Sequence, residues 1–324
     1  MIGIALIGCG SIGEAHAACL ARIPSVKLRT FCDLNLSRAA DLCARYEGVT
    51  ATNNPEVIFN NSTIDAVYIC TQTDTHVALA LDAIRAGKHI MMEKPLALSI
   101  AECRAVQKSV KASNIKFMTA FKLRYNPCAQ LAREFLPHPI MSNAQLSDRR
   151  WQDDFWGNDP VKGGGNVLSQ GVHAMDLLYY LHQSEPIRIY AEGGNHSRPG
   201  IDIIDSIAAT IAFENGSFAA ITIGDAGETP LVSKFSFQSF DGVKSFHLFN
   251  RMKSILLNDG ESIRERHETE EIGLMAESEA FIHCIEHDTA PPSTVLDGVR
   301  ATAMVQLAFD AIRTGTPQKM PALL

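Results

Sequence analysis

Ile4-Ala5-Leu6-Ile7-Gly8-Cys9-Gly10-Ser11-Ile12-Gly13 decides the reading of this 324-residue chain. Its first four residues form the continuous apolar run that a parallel strand buried on both faces requires. The G-x-G-x-x-G after it opens a helical pattern. The first glycine permits a tight turn, the second lets backbone approach a pyrophosphate, and the third allows close packing of helix on strand. With Ser11 and Ile12, this loop ends at a helix N-terminus whose free N–H groups suit phosphates. Asp33 lies twenty residues beyond Gly13, after a second apolar run. An acidic side chain there accepts hydrogen bonds from the ribose of NAD and repels the 2′-phosphate of NADP. Arg38 can pair with such a phosphate or stack on adenine. The expectation is NAD rather than NADP.

Outward from this loop, short apolar runs alternate with helical stretches. Strands are expected at 2–7, 28–32, 66–70, 88–92 and 115–120, and helices at 12–22, 36–46, 75–86 and 99–113. That alternation is the signature of βαβ units and a parallel sheet. Beyond about 123 the pattern changes to helices at 127–136 and 167–182, then strand-like segments at 187–194, 206–213, 217–224, 233–240 and 243–249. Turn signals such as Glu214-Asn215-Gly216 separate these strands, which implies antiparallel hairpins. Helices at 274–287 and 294–313 close the chain. The predicted architecture is α/β: a dinucleotide-binding domain at 1–122, then an α+β domain with a large, mostly antiparallel open sheet at 123–324.

Composition narrows the function. A net charge of -7 argues against a nucleic-acid partner, and no apolar stretch is long enough for a membrane helix. Eight cysteines without even spacing or a Cys-x-x-Cys read as free thiols in a reducing cytoplasm. His283-Cys284-Ile285-Glu286-His287 matches a zinc-binding pattern, but little chain remains to supply a third ligand, so no metal is expected.

Glu93-Lys94-Pro95 follows the strand ending at Met92, at the sheet edge where open α/β sheets place ligands. A lysine there can stabilise a developing alkoxide. On the helix 167–182, Ser169, His173 and Asp176 share one face, expected to look toward Lys94. An imidazole titrating near neutrality suits removal of a hydroxyl proton. Trp151, Asp153, Asp154 and Trp156 suit either a ring bearing hydroxyls or a subunit contact. Arg124, Tyr125 and Asn126, at the domain junction, either border the substrate or brace the hinge.

On these residues the chain resembles the family of glucose-fructose oxidoreductase, inositol 2-dehydrogenase and MocA proteins (Gfo/Idh/MocA). The resemblance runs through GCGSIGEAH at 8–16, VYICTQTDTH at 67–76, ALDAIRAGKHIMMEKP at 80–95, RYNP at 124–127 and GGGNVLSQGVHAMDLL at 163–178. It implies a Rossmann domain joined to a domain whose open sheet often mediates oligomerisation, hence a homo-dimer or homo-tetramer. It places Thr71, Thr73, His76, Glu93 and Lys94 at the cofactor, often with a cis peptide before Pro95, and makes His173 the proton acceptor. Arg124, Tyr125, Asn126, Trp151, Ser169 and His173 would border the substrate, with Asp176 orienting the imidazole. Two positions depart from the family pattern: Ser169 stands where many members carry Asp, and Gln72 where Pro is usual. The implied activity is NAD-dependent hydride transfer with a secondary alcohol of a sugar, inositol or related polyol. The alternatives are an NAD-requiring enzyme with no net redox change, such as a glycosidase, and a dinucleotide-binding sensor. Specificity would rest on loops near 124–126, 151–159 and 225–235.

Overall fold

The computed structural model describes residues 1–227, 234–267 and 272–323. The first segment carries β1 (Ile2–Ile7), α1 (Ser11–Leu20), β2 (Val26–Cys32), α2 (Leu36–Cys43), β3 (Thr50–Thr52), α3 (Glu56–Phe59), β4 (Ala66–Ile69), α4 (Thr73–Arg85), β5 (His89–Met92), α5 (Ile100–Lys111) and β6 (Phe117–Thr119). Its six strands run parallel in the order β3-β2-β1-β4-β5-β6. This is the doubly wound dinucleotide-binding order, with its reversal between β1 and β4. The apolar runs that announced β1 and β4 are buried along their length apart from Ile2. The two elements that the sequence pattern does not announce, β3 and α3, are short; Thr50-Ala51-Thr52 is too polar and too exposed to look like a strand.

The rest comprises α6 (Pro127–Phe135), β7 (Met141–Arg149), α7 (Asn166–His182), β8 (Pro186–Gly194), β9 (Ser206–Phe213), β10 (Phe218–Gly227), β11 (Phe235–Phe240), β12 (Ser245–Phe249), β13 (Ser254–Asn258), β14 (Ile263–His267), α8 (Leu274–Glu286), α9 (Val295–Thr314) and β15 (Gln318–Lys319). Nine strands form one sheet, β14-β13-β12-β11-β7-β10-β9-β8-β15. It is antiparallel except where β7 pairs in parallel with β10. Sequence reading did not expect β7, although it occupies the middle. Its core-facing positions are Ser142, Ala144 and Leu146, so only two of the three announce themselves as apolar. The 225–235 loop is described only in part, as residues 228–233 lie outside the described residues.

Two compact units result: 1–120 with 274–299, and 121–273 with 300–324. The expected boundary at 122 falls close to the observed one, but the unbroken second domain at 123–324 needs correction. Residues 274–299 belong to the first unit because Phe281 of α8 packs edge-on against Tyr68 of β4, with centroids 5.6 Å apart. Thr119 at the end of β6 also exchanges three hydrogen bonds with Ser293 and Thr294. An amphipathic helix declares that it has an apolar face, but not which sheet that face will cover.

Ser142 explains its own burial. His182, stacked on Phe213 at 4.2 Å, lies between Ser142 and Ser217 with both hydroxyls 2.8 Å away. Ser217 donates its proton to Asn215, so it accepts from His182 Nδ1, and Ser142 donates to Nε2. The ring is therefore held neutral, and burial pulls its pKa down to about 4. Since the folded value lies below the ordinary one near 6.5, the neutral ring's contribution is complete above about pH 6.5 and is lost as pH falls toward 4, up to roughly 3 kcal/mol. In His182→Gln, whose amide does not titrate, chemical unfolding is expected to lose less stability than wild type between pH 6.5 and pH 4. Equal losses would remove this histidine from the acid response.

Candidate active site

Parallel strands in register deliver their C-terminal ends to one sheet edge, and the residues just beyond those ends are the candidates of the first unit. Gly8 follows β1, Asp33 follows β2, Thr71 follows β4, and Glu93-Lys94 follows β5. Each glycine has a separate task. Gly8 turns with φ +99°, and a Cβ on it would stand 2.5 Å from the Cys70 carbonyl oxygen. A Cβ on Gly13 would stand 2.1 Å from the Gly8 oxygen. In contrast, a Cβ on Gly10 would meet nothing within 4 Å. Gly10 is also the N-cap of α1, without a side-chain cap, so the first N–H groups of that helix are not taken up by a capping side chain.

Asp33 stands at this loop because its Oδ2 accepts from the Cys9 N–H at 2.9 Å, while Oδ1 accepts from Asn35 N–H at 2.9 Å. Arg38, largely exposed, reaches to 3.6 Å from the same carboxylate. The open cradle at Gly10, the uncapped helix and the acid beside them fit a dinucleotide: pyrophosphate against Gly10-Ser11-Ile12 and ribose on Asp33. Burial pushes the neighbouring Cys9 thiol up to about 12, so it stays protonated and takes no part as an anion. None of the eight cysteines forms a disulfide.

Several residues expected at the cofactor have other duties. His76 is 1% exposed, with Nδ1 2.8 Å from the Pro95 carbonyl and Nε2 3.2 Å from that of Thr71. Burial lowers its pKa, so the neutral ring donates one proton, to the nearer Pro95 oxygen. With both ring nitrogens facing backbone carbonyls, the His76 side chain is thus corrected from a ligand contact to a buried brace; Thr73 is buried at the start of α4. Glu93 is buried too. It accepts from the Lys94 N–H at 3.1 Å and lies 3.1 Å from Nε2 of His16, a residue of α1 that sequence reading passed over although it stands three residues after Gly13. The loop that carries Lys94 is therefore tied to both α1 and α4. The Lys94–Pro95 peptide is cis.

The second unit holds the remaining candidates. His173 lies on α7, 4% exposed and edge-on to Phe121, with centroids 6.2 Å apart. Asp176 accepts from Arg124 twice, from Nε at 2.8 Å and from Nη2 at 2.5 Å. Both residues are buried, and the guanidinium also lies over the rings of Phe121, Tyr179 and Tyr180. Arg124 is thus corrected from a substrate contact to the counter-ion of Asp176, and the carboxylate assigned to His173 is engaged by that arginine. Asn126 is the N-cap of α6, its Oδ1 accepting from Ala129 N–H at 3.0 Å, and Tyr125 is buried. Ser169 sits one turn before His173 and is half-buried. Lys234 was not foreseen. Its Nζ lies 2.6 Å from Asp148 and 3.2 Å from Gln170 of α7, and burial lowers its pKa. Among the described residues no cluster of three His, Cys, Asp or Glu side chains forms a metal site, and no helix is long and apolar enough to cross a membrane.

The sequence profile of an oxidoreductase family with an NAD-binding Rossmann fold, GFO/IDH/MocA, matches residues 2–121, and the profile of that family's C-terminal domain matches 134–231. The chain belongs to the GFO/IDH/MocA family. Among relatives, the uncharacterized oxidoreductase YrbE of Bacillus subtilis is 28% identical over 221 residues, 67% of this chain and 65% of that protein. Levoglucosan dehydrogenase of Pseudarthrobacter phenanthrenivorans is 26% identical over 260 residues, 68% of this chain and 66% of that protein. The matches thus span just under two thirds of the length of these two curated relatives. A solved structure of levoglucosan dehydrogenase, in complex with NADH and levoglucosan, superposes with a TM-score of 0.91 over 99% of both chains at 20% identity, which establishes a shared fold.

The glycines separate the cofactor from the fold experimentally. Gly10→Ala is expected to keep stability within about 1 kcal/mol while weakening NAD binding roughly tenfold or more, because its methyl enters the space left for phosphate. Gly13→Ala is expected to destabilise the protein itself by about 1–3 kcal/mol. Thermal unfolding with NAD titration checks both, and unaltered NAD affinity in Gly10→Ala would contradict the cradle.

Proposed function

We propose that the protein is an NAD-dependent dehydrogenase that oxidises a secondary alcohol of a sugar, inositol or related polyol. The observation that carries this reading is the placement of Lys94 directly after β5, on the same sheet edge as the open cradle at Gly10 and the carboxylate of Asp33. Nicotinamide, when bound, supplies the acceptor for the two electrons and hydrogen leaving the carbinol carbon.

The chain's own residues supply the rest. The Lys94 ammonium binds the substrate oxygen and stabilises negative charge as it develops there. His173 takes the hydroxyl proton. Asp176, paired with Arg124, anchors the helix that carries His173. Glu93, by accepting from the Lys94 N–H, fixes the backbone from which the lysine side chain departs. Asp33 favours NAD over NADP through repulsion of a 2′-phosphate. The names of relatives support a polyol: one is called levoglucosan dehydrogenase and another, from Thermotoga maritima, myo-inositol 2-dehydrogenase.

A cytoplasmic homo-dimer or homo-tetramer is part of the same proposal. Eight cysteines without a disulfide suit a reducing compartment. Strand register sets exposed Met141 beside exposed Phe218 on the nine-stranded sheet, an apolar pair suited to contact with a second copy.

NADH formation across a panel of inositols, aldoses and glycosides tests the activity. On any substrate found, Lys94→Ala and His173→Ala are each expected to lower turnover by about 10²- to 10⁴-fold. Wild-type turnover in either variant would overturn the assignment.

A further inference from the structure

We propose that Trp151 is a ring-stacking element of the substrate site, and that a buried Arg198–Asp225 pair is what positions it. This inference rests on the dehydrogenase reading and adds to it a requirement for a cyclic substrate with an apolar face, a pyranose or a cyclohexane polyol.

Arg198 and Asp225 are both fully buried in their side chains. The guanidinium donates from Nη1 to Asp225 Oδ1 at 2.8 Å and from Nη2 to Oδ2 at 2.7 Å. Both then spend further hydrogen bonds on one residue. Trp151 N–H donates to Asp225 Oδ2 at 3.0 Å, and Arg198 Nη2 donates to the Trp151 carbonyl at 2.8 Å. An ion pair removed from water costs free energy unless its remaining donors and acceptors are used. Here one further acceptor and one further donor grip both backbone groups of a tryptophan 47 residues before the arginine and 74 before the aspartate.

The arginine is itself held. Asp205 accepts from the backbone N–H groups of His196, Ser197 and Arg198, at 3.1, 2.8 and 3.2 Å. The Arg198 Nε lies 3.4 Å from Asp153, two residues beyond the tryptophan.

The ring this anchors is not core. Trp151 is half-buried and stands edge-on to Phe155 at 5.1 Å, and Phe155 is 39% exposed. Both rings crowd Gly157, where a Cβ would meet Phe155 at 2.5 Å and Trp151 at 2.7 Å. Gly157 in turn accepts from Gly165 N–H at 2.8 Å, and Gly165 is the N-cap of α7, the helix that bears His173. The aromatic pair is thus stitched to the helix of the proton acceptor. A half-buried indole whose backbone is held on both sides suits a ring whose axial C–H groups lie on one side.

Trp151 and Trp156 are the only tryptophans in the chain, so Trp156→Phe leaves Trp151 as sole reporter. In that variant, myo-inositol or methyl β-D-glucoside, added with NAD, is expected to change the fluorescence saturably, whereas open-chain sorbitol is not. On a polyol that is turned over, Trp151→Ala is expected to raise KM for the polyol roughly tenfold, with KM for NAD and kcat within about twofold, and Trp151→Phe to recover most of the loss. Arg198→Lys, which keeps the charge but loses the fork, is expected to shift KM in the same direction. A loop that merely stabilised the fold would move unfolding temperature without this split. Turnover with an unmoved KM in Trp151→Ala overturns the inference and leaves the dehydrogenase reading intact. A saturable fluorescence response without NADH formation from any polyol does the reverse, and absence of both overturns the two together.

Discussion

Everything at the first sheet edge depends on how closely backbone approaches backbone between β1 and α1. Gly13 lies so near the Gly8 carbonyl that only a hydrogen fits between them, and Gly8 itself is pressed against the peptide of Cys70. That packing seats α1 on the sheet with its N-terminus at the loop. From there His16 reaches Glu93, Glu93 holds the Lys94 N–H, and His76 bonds across to Pro95. A change of one methyl group at Gly13 would therefore be felt at the lysine through a short series of hydrogen bonds.

The second unit solves a different problem, which is to keep charge inside without leaving it unpaired. Arg124 with Asp176, Arg198 with Asp225 and Lys234 with Asp148 each join segments far apart in sequence. Arg300 adds a fourth pairing, from α9 to Glu185 at the start of β8, with its guanidinium 3.8 Å from the centroid of Tyr179. Removing one member of a buried pair strands the other, so Arg124–Asp176 and Arg198–Asp225, the two pairs buried on both sides, are better read as devices for position than as sources of stability. All four touch α7 or the 151–165 stretch that leads into it.

The parallel sheet was legible because β1, β4 and β5 are short apolar runs ending at once in glycine, threonine or acid. The positions of Gly8, Gly10, Asp33 and Lys94 were legible for the same reason, since each stands just past a strand end, with Gly13 in the first turn of the helix that follows β1. Their position along the chain is also their position in space. Residues whose duty depends on a distant partner were not. Glu93, His76, Arg124 and Asn126 have the chemistry of ligands, and only their neighbours in the fold show that His16, Pro95, Asp176 and the first turn of α6 already engage them. β7 escaped because Ser142 stands where an apolar residue was sought, its hydroxyl satisfied by His182 and Ser239. The helices α8 and α9 were found, but the return of 274–299 to the first unit was not, since amphipathicity carries no address.

The most direct test of the dehydrogenase reading tracks the hydrogen. The protein would be given NAD and a cyclic polyol carrying deuterium on its carbinol carbons, and the nicotinamide examined by NMR after turnover. Net oxidation of the alcohol predicts one deuterium at C4 of NADH for each ketone formed. A product released while NAD stays oxidised, with no deuterium accumulating in the cofactor, would contradict it and point to chemistry without net redox change.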